Sequence, residues 1–175
     1  QRQQSTREFR GADGLGGSAT DVLQDRSGVL WFGTSRGVSR FDGATWQSFP
    51  PIPEGPPPPP RPKGPDTTQV YPDFVSKAIE DRSGALWFAG GLAGAYTAFR
   101  YDGSSWRHFP LPGATASAAG DCSGSVWFGP GAGLARYDGA SWPAYTSLDG
   151  LASDSITALL VDASGRVWAG TPSGL

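Results

Sequence analysis

The chain is poor in the residues from which many functional sites are built. It has one cysteine, one histidine and no methionine among 175 residues. A single cysteine cannot form an intrachain disulfide. His108 has no sequence partner that would suggest a triad or a metal set, so we predict a solvated side chain. Cys122 stands at a variable turn position with no activating base nearby, so we do not expect a nucleophile.

Charge and hydropathy exclude further classes of protein. The chain carries 14 Lys and Arg against 16 Asp and Glu, a net charge of −2, and the two signs are mixed along the sequence. The basic stripe that a nucleic-acid surface requires is missing, so we expect no nucleic-acid partner. No apolar run approaches the ~18 residues of a membrane-spanning helix. No signal peptide is visible either.

The chain is instead rich in glycine, proline and tryptophan, with 26, 16 and 7 residues. Such a composition favours short strands joined by tight turns. One motif, D-x-x-G-x-x-W, occurs four times, and the copies are about 40 residues apart once an insertion in the first interval is set aside. The repeated residues are Asp25, Gly28 and Trp31; Asp81, Gly84 and Trp87; Asp121, Gly124 and Trp127; and Asp162, Gly165 and Trp168.

A second motif follows the first three copies. It reads aromatic-Asp-Gly-x-x-Trp and begins at Phe41, Tyr101 and Tyr137. Both motifs contain turn signals, because Asp bonds to nearby backbone and Gly accepts positive φ. The segments between the turns read as four short antiparallel strands per repeat. We therefore predict an all-β fold, a fragment of a β-propeller with four-stranded antiparallel blades of about 40 residues.

The repeat also predicts the boundaries of the blades. Residues 1–14 are expected to end a preceding blade, 15–49, 70–113 and 114–150 to form blades, 50–69 to be a proline-rich insertion, and 151–175 to be the first half of a further blade. Extra residues in the second repeat, at 90–95, are expected to lengthen the turn between its second and third strands. With apolar faces and sheet edges open, we expect this stretch alone to be unstable or to aggregate.

The repeated residues themselves are interpreted as structural. The four motif aspartates lie on equivalent turns of different blades, too far apart for a shared calcium ion, so we expect turn formation. The motif tryptophans lie in apolar strands, where packing between blades is favoured over sugar stacking. The other three tryptophans lie nearer the outer edge. We predict no catalytic residue, no cofactor and no metal site, and we regard Tyr71 and Tyr96 as weak ligand candidates.

The repeats resemble a known family. The pattern [FY]-x-x-x-D-G-L, then [IV]-x-x-x-x-x-D-x-x-G-x-x-W-x-G-T, then G-[LV]-x-R-[FY]-[DN]-G is similar to the two-component regulator propeller repeat. The stretch from Tyr145 to Leu175 fits best, with Ile156, Asp162, Gly165, Trp168, Gly170, Thr171 and Gly174 in place. Residues 33–41 of the first repeat fit nearly as well. Two repeats depart from the Gly-Thr pair after the tryptophan: Ala89 replaces the glycine, and the third repeat reads Gly129-Pro130.

The resemblance implies a periplasmic or extracellular sensory propeller that precedes a membrane span and a histidine kinase in a longer protein. Such a propeller would bind a small carbohydrate or another extracellular ligand. The alternative is a secreted or surface scaffold that binds a protein partner at residues 50–65, which hold ten prolines. A propeller lyase or hydrolase is a third alternative, although we expect this segment not to be an enzyme. We expect the function in what does not repeat, at residues 50–69 and 89–97.

Overall fold

A computed structural model describes residues 14–49 and 71–175. Fourteen β-strands account for nearly all of its regular structure, with one 3₁₀ turn at Ser147–Asp149. No helix in the described ranges is both long and apolar enough to cross a membrane. The strands are β1 (Ala19–Gln24), β2 (Leu30–Thr34), β3 (Gly37–Phe41), β4 (Trp46–Phe49), β5 (Phe74–Glu80), β6 (Leu86–Leu92), β7 (Ala95–Tyr101), β8 (Trp106–Pro110), β9 (Thr115–Gly120), β10 (Val126–Pro130), β11 (Leu134–Tyr137), β12 (Ala144–Tyr145), β13 (Ala158–Val161) and β14 (Val167–Gly170).

The strands form four antiparallel sheets in which strand order follows chain order. The first three sheets have four strands each, β1–β4, β5–β8 and β9–β12, and the fourth pairs β13 with β14. The first strands of successive sheets contact one another, β1 with β5, β5 with β9, and β9 with β13. Sheets that share an inner line of first strands and stack face to face form a propeller. The predicted fold class is confirmed.

Short side chains link the first strands of neighbouring sheets. Asp21 accepts a hydrogen bond from the Ala78 amide at 2.9 Å, and Thr20 Oγ1 donates to the Val75 carbonyl at 2.5 Å. At the third interface, Ser117 Oγ accepts from the Leu159 amide at 2.9 Å. These bonds satisfy backbone groups on the free edge of each inner strand, which would otherwise need water.

Aromatic rings fill the space between sheets, and each sheet presents a different set on its two faces. Toward the next sheet, the first sheet offers Trp31 and Phe49, whose ring centroids lie 6.1 Å apart. Toward the preceding sheet, the second sheet offers Phe88, Tyr101 and Trp106. The next interface repeats the scheme, with Trp87 and Phe109 of the second sheet against Phe128, Tyr137 and Trp142 of the third.

In the first and third repeats, the glycine two residues after the motif tryptophan lies where the next sheet crosses. A Cβ on Gly33 would lie 2.6 Å from Val75 Cγ1, and a Cβ on Gly129 would lie 2.5 Å from Ile156 Cγ2. The second repeat has Ala89 at this position, and the next sheet there supplies Thr115 where the other two interfaces have the larger Val75 and Ile156. Ser76 Oγ lies 3.1 Å from the carbonyl oxygens of both Ala89 and Thr115, and its one proton can be donated to either. The departure from the repeat is therefore matched by a smaller neighbour.

The extra residues of the second repeat extend strands and leave the turn unchanged. Strands β6 and β7 have seven residues each, against five in β2 and β3. Pairing continues to Leu92↔Ala95, so the turn is only Ala93-Gly94, as short as Ser35-Arg36 in the first repeat. The expectation of a longer turn was wrong, because the added residues pair across the hairpin. The predicted end of a preceding blade, apart from its last residue, and the insertion at 50–69 lie outside the described residues.

Candidate ligand-binding surface

Each motif aspartate uses both carboxylate oxygens within its own repeat. Asp81 Oδ1 accepts from the Ser83 amide at 2.8 Å, the Ser83 hydroxyl at 2.5 Å and the Ala85 amide at 3.1 Å. Asp81 Oδ2 accepts from Trp87 Nε1 at 2.8 Å. The same indole-to-carboxylate bond recurs at 2.8, 2.9 and 2.9 Å in the other repeats, from Trp31 to Asp25, Trp127 to Asp121, and Trp168 to Asp162.

These hydrogen bonds hold the carboxylates in their charged form. For Asp81, burial alone would raise the pKa, but the bonds from Ser83, Trp87 and the Ala85 amide outweigh it and lower the pKa below its ordinary value. At Asp162 the bonds from Trp168 and the Arg166 amide lower the pKa to about 2. Among the described residues, no group of three or more His, Cys, Asp or Glu could hold a metal ion.

The four motif tryptophans differ in burial according to what covers them. Trp31 and Trp87 are 3% and 1% exposed beneath the next sheet. Trp127 is half-buried against the two-stranded fourth sheet, and Trp168 is 43% exposed. Arg166 lies over the Trp168 ring at 5.4 Å. The outer tryptophans 46, 106 and 142 face the opposite way, and Trp106 is 7% exposed in the first interface.

A charged cavity of about 460 Å³ lies at the Asp-x-x-Gly end of the inner strands, lined by Arg26, Glu80, Arg82, Cys122 and Asp162 among others. Arg26 donates to the carbonyls of Arg82 and Asp81 at 2.8 and 2.7 Å, and its Nε lies 3.5 Å from Glu80 Oε1. Arg82 in turn donates to the Cys122 carbonyl. Both guanidinium groups therefore join one turn to the next.

The opposite end of the sheets carries the most exposed non-repeated aromatic side chains. The longer β6–β7 hairpin projects there, and Phe74, Gly91 and Tyr96 lie in one row across β5, β6 and β7. Phe74 and Tyr96 are 40% and 43% exposed. A Cβ on Gly91 would lie 2.2 Å from the Phe74 ring, so the ring lies over this glycine. We name Phe74, Gly91, Ala93 and Tyr96 the rim surface.

Hydrogen bonds of Asp73 fix the backbone of the rim surface. The Asp73 amide donates to the Gly91 carbonyl at 2.8 Å, and Asp73 Oδ2 accepts from the Ala93 amide at 2.6 Å. Ala93 has a φ of 51° and Gly94 a φ of 83°. Two successive positive φ angles are typical of the type I′ turns that match the twist of a two-residue hairpin. The hairpin therefore presents its aromatic residues from a fixed backbone.

Of the ligand candidates taken from the sequence, only Tyr96 reaches this surface, and it lies in β7 and not in a loop. Tyr71 packs against Phe49 and Trp106, with ring centroids 5.8 and 5.6 Å away, so it belongs to the first interface. Phe74 was missed, because one aromatic residue at the start of a strand gives no signal of exposure. His108 is exposed beside Phe99, and Cys122 is an exposed free thiol.

Solved structures with a similar fold include extracellular domains of putative one component and hybrid two component systems. One is from a putative one component system of B. thetaiotaomicron, with a TM-score of 0.62 and 18% identity over 89% of this chain and 21% of that one. Another is from a putative hybrid two component system of B. thetaiotaomicron, with a TM-score of 0.63 and 20% identity over 87% and 20%. The chain thus spans about a fifth of either structure.

A gluconolactonase of Xanthomonas campestris is also similar, with a TM-score of 0.56 and 18% identity over 87% of this chain and 56% of that one. At these identities the similarity shows the fold alone. No curated protein matches the chain. The two component regulator propeller family matches residues 13–36 and 150–173. Those two segments, one around Asp25 and one around Asp162, confirm the predicted resemblance of the first and fourth repeats to the two component regulator propeller repeat.

Proposed function

We propose that the chain is part of the extracytoplasmic input module of a two component signalling protein and that it binds its ligand at the rim surface. The family match supports the role in a two component signalling protein. The two B. thetaiotaomicron domains of similar fold, both described as extracellular, support the location. Residues 14–49 and 71–175 supply a rigid stack of sheets on which a recognition surface can be fixed.

The rim surface is the part of the stack that suits recognition best. The four Asp–Trp pairs and Arg26 are bonded within and between repeats, so their polar groups are already used. Phe74 and Tyr96 are exposed aromatic residues on either side of Gly91, and the β6–β7 hairpin that carries Tyr96 is longer than the corresponding hairpins of the other repeats. Exposed rings on a fixed backbone stack against planar or apolar faces of a ligand at low entropic cost.

The proposal is tested in two independent steps. The gene that encodes this chain should also encode a membrane span and a histidine kinase, and a gene without them would contradict the signalling role. Binding is measured by calorimetry of the purified protein against soluble saccharides and peptides. Tyr96→Ala and Phe74→Ala should weaken any binding that is found, while Trp168→Ala, an equally exposed but repeated aromatic residue, should leave it unchanged. Weaker binding by Trp168→Ala, with unchanged binding by Tyr96→Ala and Phe74→Ala, would contradict binding at the rim surface.

A protein-interaction scaffold is the second candidate. Phe49 and Tyr71, the described residues on either side of the proline-rich insertion, pack on each other at 5.8 Å inside the first interface. The described chain is therefore packed on both sides of the insertion, so the insertion can be deleted between two fixed points. Deletion of residues 51–69 should abolish capture of a partner and leave the thermal midpoint unchanged. Retention of the partner by the deletion variant would contradict this candidate.

A further inference from the structure

The first Asp-Arg-Ser-Gly turn binds a carboxylate that the second sheet supplies. Glu80, the last residue of β5, accepts a hydrogen bond from the Arg26 amide through Oε2 at 3.0 Å, and its Oε1 lies 3.5 Å from Arg26 Nε. The Glu80 side chain is only 12% exposed. The first interface therefore shows how such a turn holds a carboxylate, with one oxygen at the arginine amide and the other at the guanidinium.

The second Asp-Arg-Ser-Gly turn has the arginine without the acid. Arg82 takes the position of Arg26, but the equivalent of Glu80 is Gly120, the last residue of β9. Arg82 still donates through Nη1 to the carbonyl of Cys122, as Arg26 does to the next turn. Among the described residues, Arg82 has no ion-pair partner, and its amide and Nε have no acceptor. This turn therefore keeps the donors and lacks the carboxylate.

The space that a carboxylate needs is open at the second turn. Arg82 and Gly120 both line the cavity of about 460 Å³ at this end of the inner strands. A Cβ on Gly120 would meet only the Glu80 carbonyl oxygen, at 3.7 Å, which is an ordinary contact. The two turns also close with the same bond, from the serine amide to the motif aspartate, at 2.9 and 2.8 Å. The donors of Arg82 are therefore directed as those of Arg26 are.

The third interface shows that the second is the exception. There Cys122 takes the position of the arginine, and Val161 takes the position of the glutamate. An interface with the acid has the arginine, and an interface without the arginine has no acid. Only Arg82 stands opposite a residue that cannot pair with it. Since a guanidinium stays charged and matches the geometry of a carboxylate, a carboxylate from outside the chain suits this position.

The other acidic residues on the cavity wall do not serve Arg82. Both oxygens of Asp121 accept hydrogen bonds within its own turn, three on Oδ1 and the indole bond on Oδ2. Asp162 pairs with Arg166 at 2.7 Å. Of the two arginines on the wall, Arg26 has its glutamate and Arg82 has no acid.

We propose that Arg82 binds the carboxylate of a small organic acid in this cavity. One oxygen accepts from the Arg82 amide and the other from its guanidinium, as the oxygens of Glu80 do at Arg26. The volume lies within the range of small-molecule sites, about 300–1,000 Å³, and Val161 and Ala163 line it beside a short carbon chain. The site lies at the opposite end of the sheets from the rim surface and does not depend on the proposed sensory function.

Butyrate and its neutral amide, butyramide, are matched probes that differ in charge. Saturation-transfer NMR of the purified protein, titrated with each probe in about 0.15 M sodium chloride, should show saturable binding of butyrate. Butyramide should bind about tenfold more weakly or less, because hydrogen bonds to a charged group contribute more to affinity than neutral ones. The comparison needs no protein variant.

Two substitutions locate the binding. Arg82→Gln should weaken butyrate binding about tenfold or more, while Arg107→Gln, which changes an exposed arginine of β8 outside the cavity, should leave it unchanged. Gly120→Glu supplies the acid from within the chain and should abolish butyrate binding. It should also raise the thermal midpoint above that of Gly120→Gln, which has the same size without the charge. This second test holds even where Arg82→Gln does not fold.

Three results would overturn the proposal. One is the absence of saturable butyrate binding to the wild-type protein. Another is equal affinity for butyrate and butyramide, because the carboxylate would then not be what is recognised. The third is unchanged butyrate affinity in Gly120→Glu with a thermal midpoint no higher than that of Gly120→Gln, because Arg82 would then not be directed at this position.

Discussion

Asp81 and Trp87 are joined by a hydrogen bond of 2.8 Å between the carboxylate Oδ2 and the indole Nε1, and both residues are almost fully buried, at 6% and 1% exposure. The bond ties the turn that starts the second hairpin to the ring that fills the next interface. Because the other carboxylate oxygen already accepts three bonds from Ser83 and Ala85, neither oxygen is available to a ligand. The most regular feature of the sequence is thus a structural one.

The first prediction is that Asp81→Asn destabilises the protein. An amide has one acceptor oxygen, so its NH₂ must face either the indole donor of Trp87 or the donors of Ser83 and Ala85. A buried donor without a partner costs about 1–3 kcal/mol. Chemical denaturation followed by circular dichroism should show a loss of that size. Asp162→Asn, whose partner Trp168 is exposed, is the control and should cost less; equal losses would contradict the argument.

The second prediction concerns acid. The folded pKa values of the motif aspartates are lowered, and those of Asp42, Asp138 and Asp162 lie at about 2. A carboxyl whose folded pKa lies below its unfolded value of about 3.9 stabilises the fold above that value, and the contribution is lost as pH falls through the folded pKa. The thermal midpoint should therefore fall below about pH 4 and continue falling toward about pH 2. A midpoint that rises on acidification would contradict the bonding described here.

The third prediction compares the loss of a motif tryptophan in a buried interface with the loss of one that is exposed. Trp87→Ala should cost about 3–5 kcal/mol, because it opens a cavity beneath the third sheet and leaves the Asp81 carboxylate without the indole donor. Trp168→Ala, at the same repeat position but 43% exposed, should cost less than about 1 kcal/mol. Urea denaturation of both variants measures the difference. Similar losses would show that the fourth sheet is covered in solution.

The fourth prediction tests the match between Ala89 and Thr115. Thr115 Oγ1 is buried and has no hydrogen-bond partner among the described residues. Thr115→Val should stabilise the protein by about 1 kcal/mol, since it removes an unsatisfied hydroxyl at nearly constant volume. Thr115→Ile should instead cost about 1–3 kcal/mol through overpacking. Adding Ala89→Gly, which restores the Gly–Ile pair seen at Gly129 and Ile156, should relieve that cost; simple additivity would contradict the pairing.

Much of the fold can be predicted from the sequence, because the turn motifs are local signals. An Asp and a Gly three residues apart predict a turn, because the Asp side chain bonds to nearby backbone. A repeat of about 40 residues predicts one four-stranded sheet for each copy. The residues of the proposed site are harder to predict from the sequence. The added residues at 90–95 read as a longer turn, since composition does not show whether residues pair across a hairpin. Tyr71 reads as exposed, because its partners Phe49 and Trp106 are distant in sequence.

The two unlike faces of each sheet have a consequence for how such a chain can change. At the first and second interfaces a face with a Trp and a Phe meets a face with a Phe, a Tyr and a Trp, so the contacting faces of these repeats are alike. A duplicated repeat would find compatible neighbours on both sides without new contacts having to arise. Growth by tandem duplication would then need few new contacts, and the positions of Ala89 and Thr115 are where the second interface differs from the first and third.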